Sequence, residues 1–124
     1  MTKILIAEDE PDIRELVTLT LQFSGYEVVS VKNGAEAVTT AQAENFDLIL
    51  MDVRMPQMTG YEACRQLKED DATKDIPVIF LSAKGQESEI DTGMAAGAEE
   101  YMLKPFAPDQ LTSRVAEILA RFGK

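Results

Sequence analysis

Four apolar runs in this 124-residue chain end in groups that, brought together, could carry out phosphoryl chemistry. The run from Lys3 to Ala7 ends at Glu8 and Asp9, Phe46 to Met51 at Asp52, Pro77 to Leu81 at Ser82, and Glu99 to Leu103 at Lys104. An isolated strand-end aspartate is ordinarily a turn or helix-capping residue. A carboxylate beside an apolar interior is costly, however, unless it is paired or bound to a metal. Three carboxylates in close quarters repel one another and raise at least one pKa unless a cation is present. Oxygen ligands alone, with no histidine in the chain and no nearby thiol, favour Mg²⁺, with Mn²⁺ as a substitute. One carboxylate can then act as nucleophile and form an acyl phosphate, while the metal and Lys104 neutralise charge on the transferring group. Asp52 is the working residue in this reading.

The elements that must position these groups follow from the same pattern. Continuous apolar runs suit strands buried on both faces. A fifth run, Tyr26 to Val31, alternates and is rich in β-branched residues, as expected nearer a sheet edge. Pro11 opens a first helix with an apolar stripe of Ile13, Leu16, Val17 and Leu21, and Gly25 stops it. Asn33 and Glu36 have N-cap spacing for a second helix that packs through Ala37, Val38 and Ala41 and ends near Asn45; Thr59 and Glu62 repeat that spacing for a third, running to about Asp71. Residues 86–96 read as a poor helix, interrupted by Gly93, with Ile90 and Met94 as its main apolar residues. Pro108 opens a last helix with a stripe of Leu111, Val115, Ile118, Leu119 and Phe122 and a weak cap at Ala107. Five strands alternating with five helices over short connections form an α/β, doubly wound parallel sheet covered on both faces. Ligands in such sheets bind beyond the C-terminal strand ends, at the switch point of the strand order, and that edge is where Glu8, Asp9, Asp52, Ser82 and Lys104 would gather.

Composition narrows the function further. Residues 1–124 fit one domain. The apolar runs are too short to span a membrane and no signal-peptide pattern opens the chain, so a cytoplasmic location is expected. The single cysteine, Cys64, is read as core filling. The absence of histidine means that any phosphohistidine must come from a partner. A formal charge of −10 and a pI near 4.4 argue against direct contact with nucleic acid or an anionic membrane. A complete, free-standing fold with no effector domain is the expected organisation.

Taken in order, Glu8-Asp9, Asp52-Val53-Arg54-Met55-Pro56 with Gly60 following, Ser82-Ala83, and Lys104-Pro105-Phe106 resemble the motifs of the receiver domains of two-component response regulators (CheY-like proteins), along the family's whole length. The resemblance implies a flavodoxin-like sheet in the order 2-1-3-4-5. It also implies that Asp52 is the phosphoacceptor, Asp9 a direct Mg²⁺ ligand, Glu8 an acid acting on the metal through water, and the Arg54 backbone carbonyl a third ligand. By the same resemblance Ser82 is the switch hydroxyl that bonds a phosphoryl oxygen, Lys104 the ion-pairing lysine, and Tyr101 the aromatic whose rotamer follows phosphorylation. Lys104-Pro105 would be the family's cis peptide, and Arg54 and Lys84 occupy positions that influence how fast the phosphoryl group is lost. The implied donor is a sensor histidine kinase or histidine phosphotransfer protein. The implied output is a changed face of fourth helix, fifth strand and fifth helix, offered to a target protein by a monomer or by a dimer formed on phosphorylation.

Other readings have specific obstacles. A metal-dependent phosphatase with a strand-end aspartate nucleophile typically needs a second aspartate two residues later, where this chain has Arg54. A flavin or dinucleotide binder needs a glycine-rich loop after the first strand, where Glu8-Asp9-Glu10-Pro11 would repel a phosphate. A phosphorelay intermediate is a close variant of the receiver, and a docking-only receiver would not need the full acceptor set.

Overall fold

The computed structural model describes residues 1–83 and 85–124. Five strands, β1 (Lys3–Ala7), β2 (Glu27–Val31), β3 (Leu48–Asp52), β4 (Val78–Ser82) and β5 (Glu100–Leu103), alternate with five helices. The helices are α1 (Pro11–Phe23), α2 (Gly34–Ala43), α3 (Gly60–Glu69), α4 (Glu87–Ala95) and α5 (Pro108–Arg121). The strands form one sheet in the order β2-β1-β3-β4-β5, and every pairing is parallel. This is the expected doubly wound, flavodoxin-like arrangement, with β2 at an edge.

Alternation along the central strands splits the core into two layers. Leu5, Ile49, Met51, Val78 and Phe80 face the layer closed by α2 and α3, through Ala37, Val38, Ala41, Ala63, Cys64 and Leu67. Ile4, Ile6, Leu48, Leu50, Ile79 and Leu81 face α1 and α5, through Val17, Leu21, Leu111, Val115, Ile118 and Leu119. Every residue of β3 is buried. Its four apolar side chains contribute roughly 6–12 kcal/mol of transfer free energy, enough to carry Asp52 inward at the strand's end. Among the described residues no helix is long and apolar enough to cross a membrane.

Helix starts follow the local signals. Asn33 Oδ1 accepts from the Glu36 N–H at 2.8 Å, and Glu36 Oε1 accepts from the Lys32 N–H at 3.0 Å. Thr59 Oγ1 accepts from the Glu62 N–H at 3.2 Å. At Ala107, whose side chain cannot cap, Gln110 Oε1 accepts the backbone N–H at 2.8 Å.

Three apolar assignments are corrected. Leu16 is 54% exposed because α1 meets the sheet through Ile13, Val17 and Leu21, spaced four apart, and residue 16 lies off that line. Phe122 lies beyond the last residue of α5 and is exposed, and Met94 is exposed because α4 turns Gly93 toward the sheet instead. A Cβ on Gly93 would lie 2.9 Å from Tyr101 Cδ2 and 3.1 Å from Phe80 Cδ2. The glycine that weakens α4 as a helix is therefore what lets it approach β4 and β5.

Candidate functional site

Parallel register brings the polar strand ends to one edge. Ala7 pairs with Met51, Asp52 with Leu81 and Ser82 with Leu103, so Glu8, Asp52, Ser82 and Lys104 sit within about one residue of a common line across β1, β3, β4 and β5. Backbone bonds extend the ladder past the strands: the Glu8 N–H donates to the Val31 carbonyl at 3.1 Å, the Val53 N–H to the Leu81 carbonyl at 3.3 Å, and the Lys104 N–H to the Ser82 carbonyl at 2.8 Å. The Lys104–Pro105 peptide bond is cis.

Glu8, Asp52 and Ser82 are buried, Lys104 is half-buried and Asp9 is exposed at the rim. Lys104 Nζ donates to Glu8 Oε1 at 2.5 Å and to Asp52 Oδ1 at 3.1 Å. One ammonium thus serves two carboxylates, with a third beside them: carboxylate oxygens of Glu8, Asp9 and Asp52 all lie within 4.8 Å of one another. Burial, reinforced by the charge of Asp52 against the opposing pull of Lys104, pushes the Glu8 carboxyl up to about 7. For Lys104, burial alone lowers the ammonium pKa, and Glu8 and Asp52 together more than reverse it, so the group lies above its ordinary value.

The second Glu8 oxygen, Oε2, is buried with no hydrogen-bond donor among the described residues. A buried acceptor left unsatisfied is costly. A divalent cation among Glu8, Asp9 and Asp52 would remove that cost and the mutual repulsion of the carboxylates. The donor set is all oxygen; the one thiol, Cys64, is buried elsewhere, against the Ala96 carbonyl at 3.4 Å. These residues fit Mg²⁺.

The loop leaving Asp52 is held tightly. Gln57 has φ +71°, an uncommon conformation for a residue with a side chain, inside a turn closed by the Met58 N–H on the Pro56 carbonyl at 2.8 Å. The Gly60 N–H donates to the Val53 carbonyl at 2.9 Å, and a Cβ on Gly60 would collide with the Asp52 carbonyl oxygen. The first turn of α3 is therefore seated on the backbone of Asp52. Arg54 is exposed two residues past Asp52, and Lys84 lies outside the described residues.

Tyr101 is half-buried on β5, its ring centroid 6.1 Å from that of Phe80 and its hydroxyl 3.2 Å from that of Tyr61. Two residues of this region carried no prior signal. Arg14 Nη1 donates to the Glu8 carbonyl at 2.8 Å, pinning the end of β1, and Tyr61 bridges α3 to Tyr101. Both act through neighbours brought close by the fold, which residue type and spacing do not encode.

Comparison with known proteins agrees with this geometry. The family described as the response regulator receiver domain matches residues 4–116. The chain is 41% identical over 120 residues to the phosphate regulon transcriptional regulatory protein PhoB of Pseudomonas aeruginosa, covering 97% of this chain and 52% of that protein. Among solved structures, the Vibrio cholerae chemotaxis protein CheY4 is 36% identical with a TM-score of 0.90, covering 94% of this chain and 98% of that one. The receiver domain of a Pseudomonas aeruginosa sensor histidine kinase, solved with a magnesium ion coordinated in its active site cleft, is 32% identical with a TM-score of 0.87, covering 99% and 98%. The chain spans about half the length of the curated relatives it matches.

Proposed function

The chain belongs to the response regulator receiver family of two-component systems, and from that premise we propose that Asp52 accepts a phosphoryl group and so sets the conformation of the protein. The observation that carries this reading is the pairing of a buried Asp52 with Lys104 at 3.1 Å, beside two further carboxylates and an unsatisfied Glu8 oxygen.

The donor is a phosphohistidine of a sensor kinase or histidine phosphotransfer protein, since this chain has no histidine. An Asp52 carboxylate oxygen attacks phosphorus. The P–N bond breaks, its electron pair leaves on the imidazole nitrogen, and that nitrogen takes up a proton. When bound, Mg²⁺ would neutralise charge on the transferring group. Asp9, Asp52 and the Arg54 carbonyl would hold it, with Glu8 acting through water. Lys104, already at Asp52, offers its ammonium to the new phosphoryl oxygens. Ser82 closes on another of those oxygens, and Tyr101 follows the space this opens.

The altered surface is that of α4, β5 and α5. It carries an open groove of about 720 Å³ lined by Tyr101, Leu103, Pro105, Phe106, Gln110 and Arg114, which suits a protein target. Arg54 and Lys84 bind the phosphoryl oxygens, obstruct the attacking water and lengthen the phosphorylated lifetime. The protein is a cytoplasmic switch with slow chemistry, and passing the group on to a second histidine protein is the nearest variant. Arg54, where a phosphatase of this topology carries an acid, opposes a turnover enzyme.

Incubation with acetyl phosphate and Mg²⁺ tests the reading by intact mass. One phosphoryl adduct is expected, lost in Asp52→Asn and in EDTA. No adduct on the wild-type chain, or steady hydrolysis of p-nitrophenyl phosphate, overturns it.

A further inference from the structure

Tyr61 occupies the first turn of α3, directly after the Gly60 that rests on the Asp52 backbone. Its hydroxyl lies 3.0 Å from the Glu89 carbonyl oxygen, 3.0 Å from a Glu89 carboxylate oxygen and 3.2 Å from the Tyr101 hydroxyl. A phenol has one proton to give. The Glu89 carbonyl can only accept, so with Tyr61 donating to Glu89 the Tyr101 hydroxyl becomes the donor to Tyr61. Burial above all, then the bonds to Tyr101 and Glu89, hold the Tyr61 phenol well above its ordinary pKa, so it keeps its proton. Its ring meets Phe80 edge-on, with centroids 5.1 Å apart and planes at 84°, a favourable aromatic geometry. Gly93 leaves the space that Tyr101 fills.

We propose that Tyr61 is a positioning residue of the switch: its hydroxyl holds Tyr101 in the packed position over Gly93 and ties it to α4. The first turn of α3, seated on Asp52, thereby sets how much of the population carries Tyr101 turned in before any phosphoryl group arrives. This rests on the switch reading above and adds to it a second connection from Asp52 to the output face, through Gly60 and Tyr61 rather than through Ser82 and β4. It also makes the packed state one that phosphorylation consolidates rather than creates. Removing one hydrogen bond of this kind lowers the ratio of packed to outward Tyr101 by roughly two- to tenfold.

The test is ¹⁹F NMR of the whole chain labelled with 3-fluorotyrosine, which reports its three tyrosines, assigned by single Tyr→Phe variants. In Tyr61→Phe, which keeps the ring contact to Phe80, the Tyr101 resonance should move toward its solvent-exposed position and gain a solvent isotope shift, with Tyr26 unchanged. In the reciprocal Tyr101→Phe, the Tyr61 resonance should move while Tyr26 again stays. A Tyr101 signal unmoved in Tyr61→Phe overturns the proposal. Should that variant disturb Tyr26 as well, the reciprocal one decides, and an unmoved Tyr61 signal overturns the proposal equally. These readings need no phosphorylation, so they stand apart from the adduct measurement that judges Asp52.

Discussion

Lys104 reaches Glu8 across 96 positions of sequence and closes on its Oε1 at 2.5 Å, while the other Glu8 oxygen stays buried without a donor among the described residues. Half of that carboxylate is thus satisfied by Lys104, and the other half lies among carboxylate oxygens close enough to hold a cation together. Lys104 bridges Glu8 and Asp52, so under the proposed switch Glu8 would have two tasks, holding Lys104 near Asp52 and facing the cation.

A pH dependence follows from that position. The Glu8 carboxyl rises in the folded state from 4.5 to about 7, so between those values the unfolded chain has released a proton that the folded chain keeps. The associated stability is complete below about pH 4.5 and is lost as pH rises through 7. In EDTA, Glu8→Gln should therefore gain stability relative to wild type between pH 5 and pH 8, on the order of 1–3 kcal/mol. Mg²⁺ should stabilise the wild type more at pH 8 than at pH 5. Urea unfolding of both proteins at the two pH values, with and without Mg²⁺, measures this; parallel profiles would show that Glu8 is not strained.

Arg54 and Lys84 should lengthen the phosphorylated state. The double replacement by alanine is expected to shorten the lifetime of the Asp52 adduct several-fold, with the rate of adduct formation changed less. Adduct decay followed by intact mass after removal of acetyl phosphate reads it. An equal or longer lifetime would remove both residues from this role.

Gly93→Ala sets two effects against each other. Alanine favours the helix by about 0.5–1 kcal/mol, but its Cβ would stand 2.9 Å from the Tyr101 ring, and overpacking of that kind costs about 1–3 kcal/mol. Net destabilisation is expected in urea unfolding, accompanied by displacement of Tyr101. A more stable variant with Tyr101 unmoved would mean that the ring and helix shift apart at little cost.

At the opposite end of the sheet, Lys68 Nζ donates to the Ile76 carbonyl at 2.8 Å, to the Lys74 carbonyl at 3.2 Å and to Glu99. Glu99 Oε1 in turn accepts the Val78 N–H at 2.7 Å. Lys68→Met should cost about 1–3 kcal/mol by removing the ammonium from the Ile76 and Lys74 carbonyls and from the Glu99 carboxylate, which would keep only the Val78 N–H. The Asp52 adduct should form at an unchanged rate, because this network lies at the starts of β4 and β5 and the site at their ends. Unfolding and adduct formation measured on the same protein separate the two.

Much of the site was legible in residue order. Apolar runs ending in Glu8-Asp9, Asp52, Ser82 and Lys104 are local facts, and short connections in a parallel sheet leave only one edge for those ends. The caps at Asn33 and Thr59 were equally legible, because a cap is satisfied within three residues of itself. Periodicity was less informative for Leu16, since a stripe marks one side of a helix more broadly than the line that touches the sheet.

What residue order determined, then, was the set of elements, the edge on which the reactive groups meet and their chemical kind. The tertiary structure decided which of them touch: Lys104 with Glu8 as well as Asp52, Tyr101 with Tyr61, and Gly93 as a seat for an aromatic ring. The lysine and tyrosine pairings join residues tens of positions apart, and all these distances depend on strand order, register and helix placement, which arise only when both core layers are packed at once.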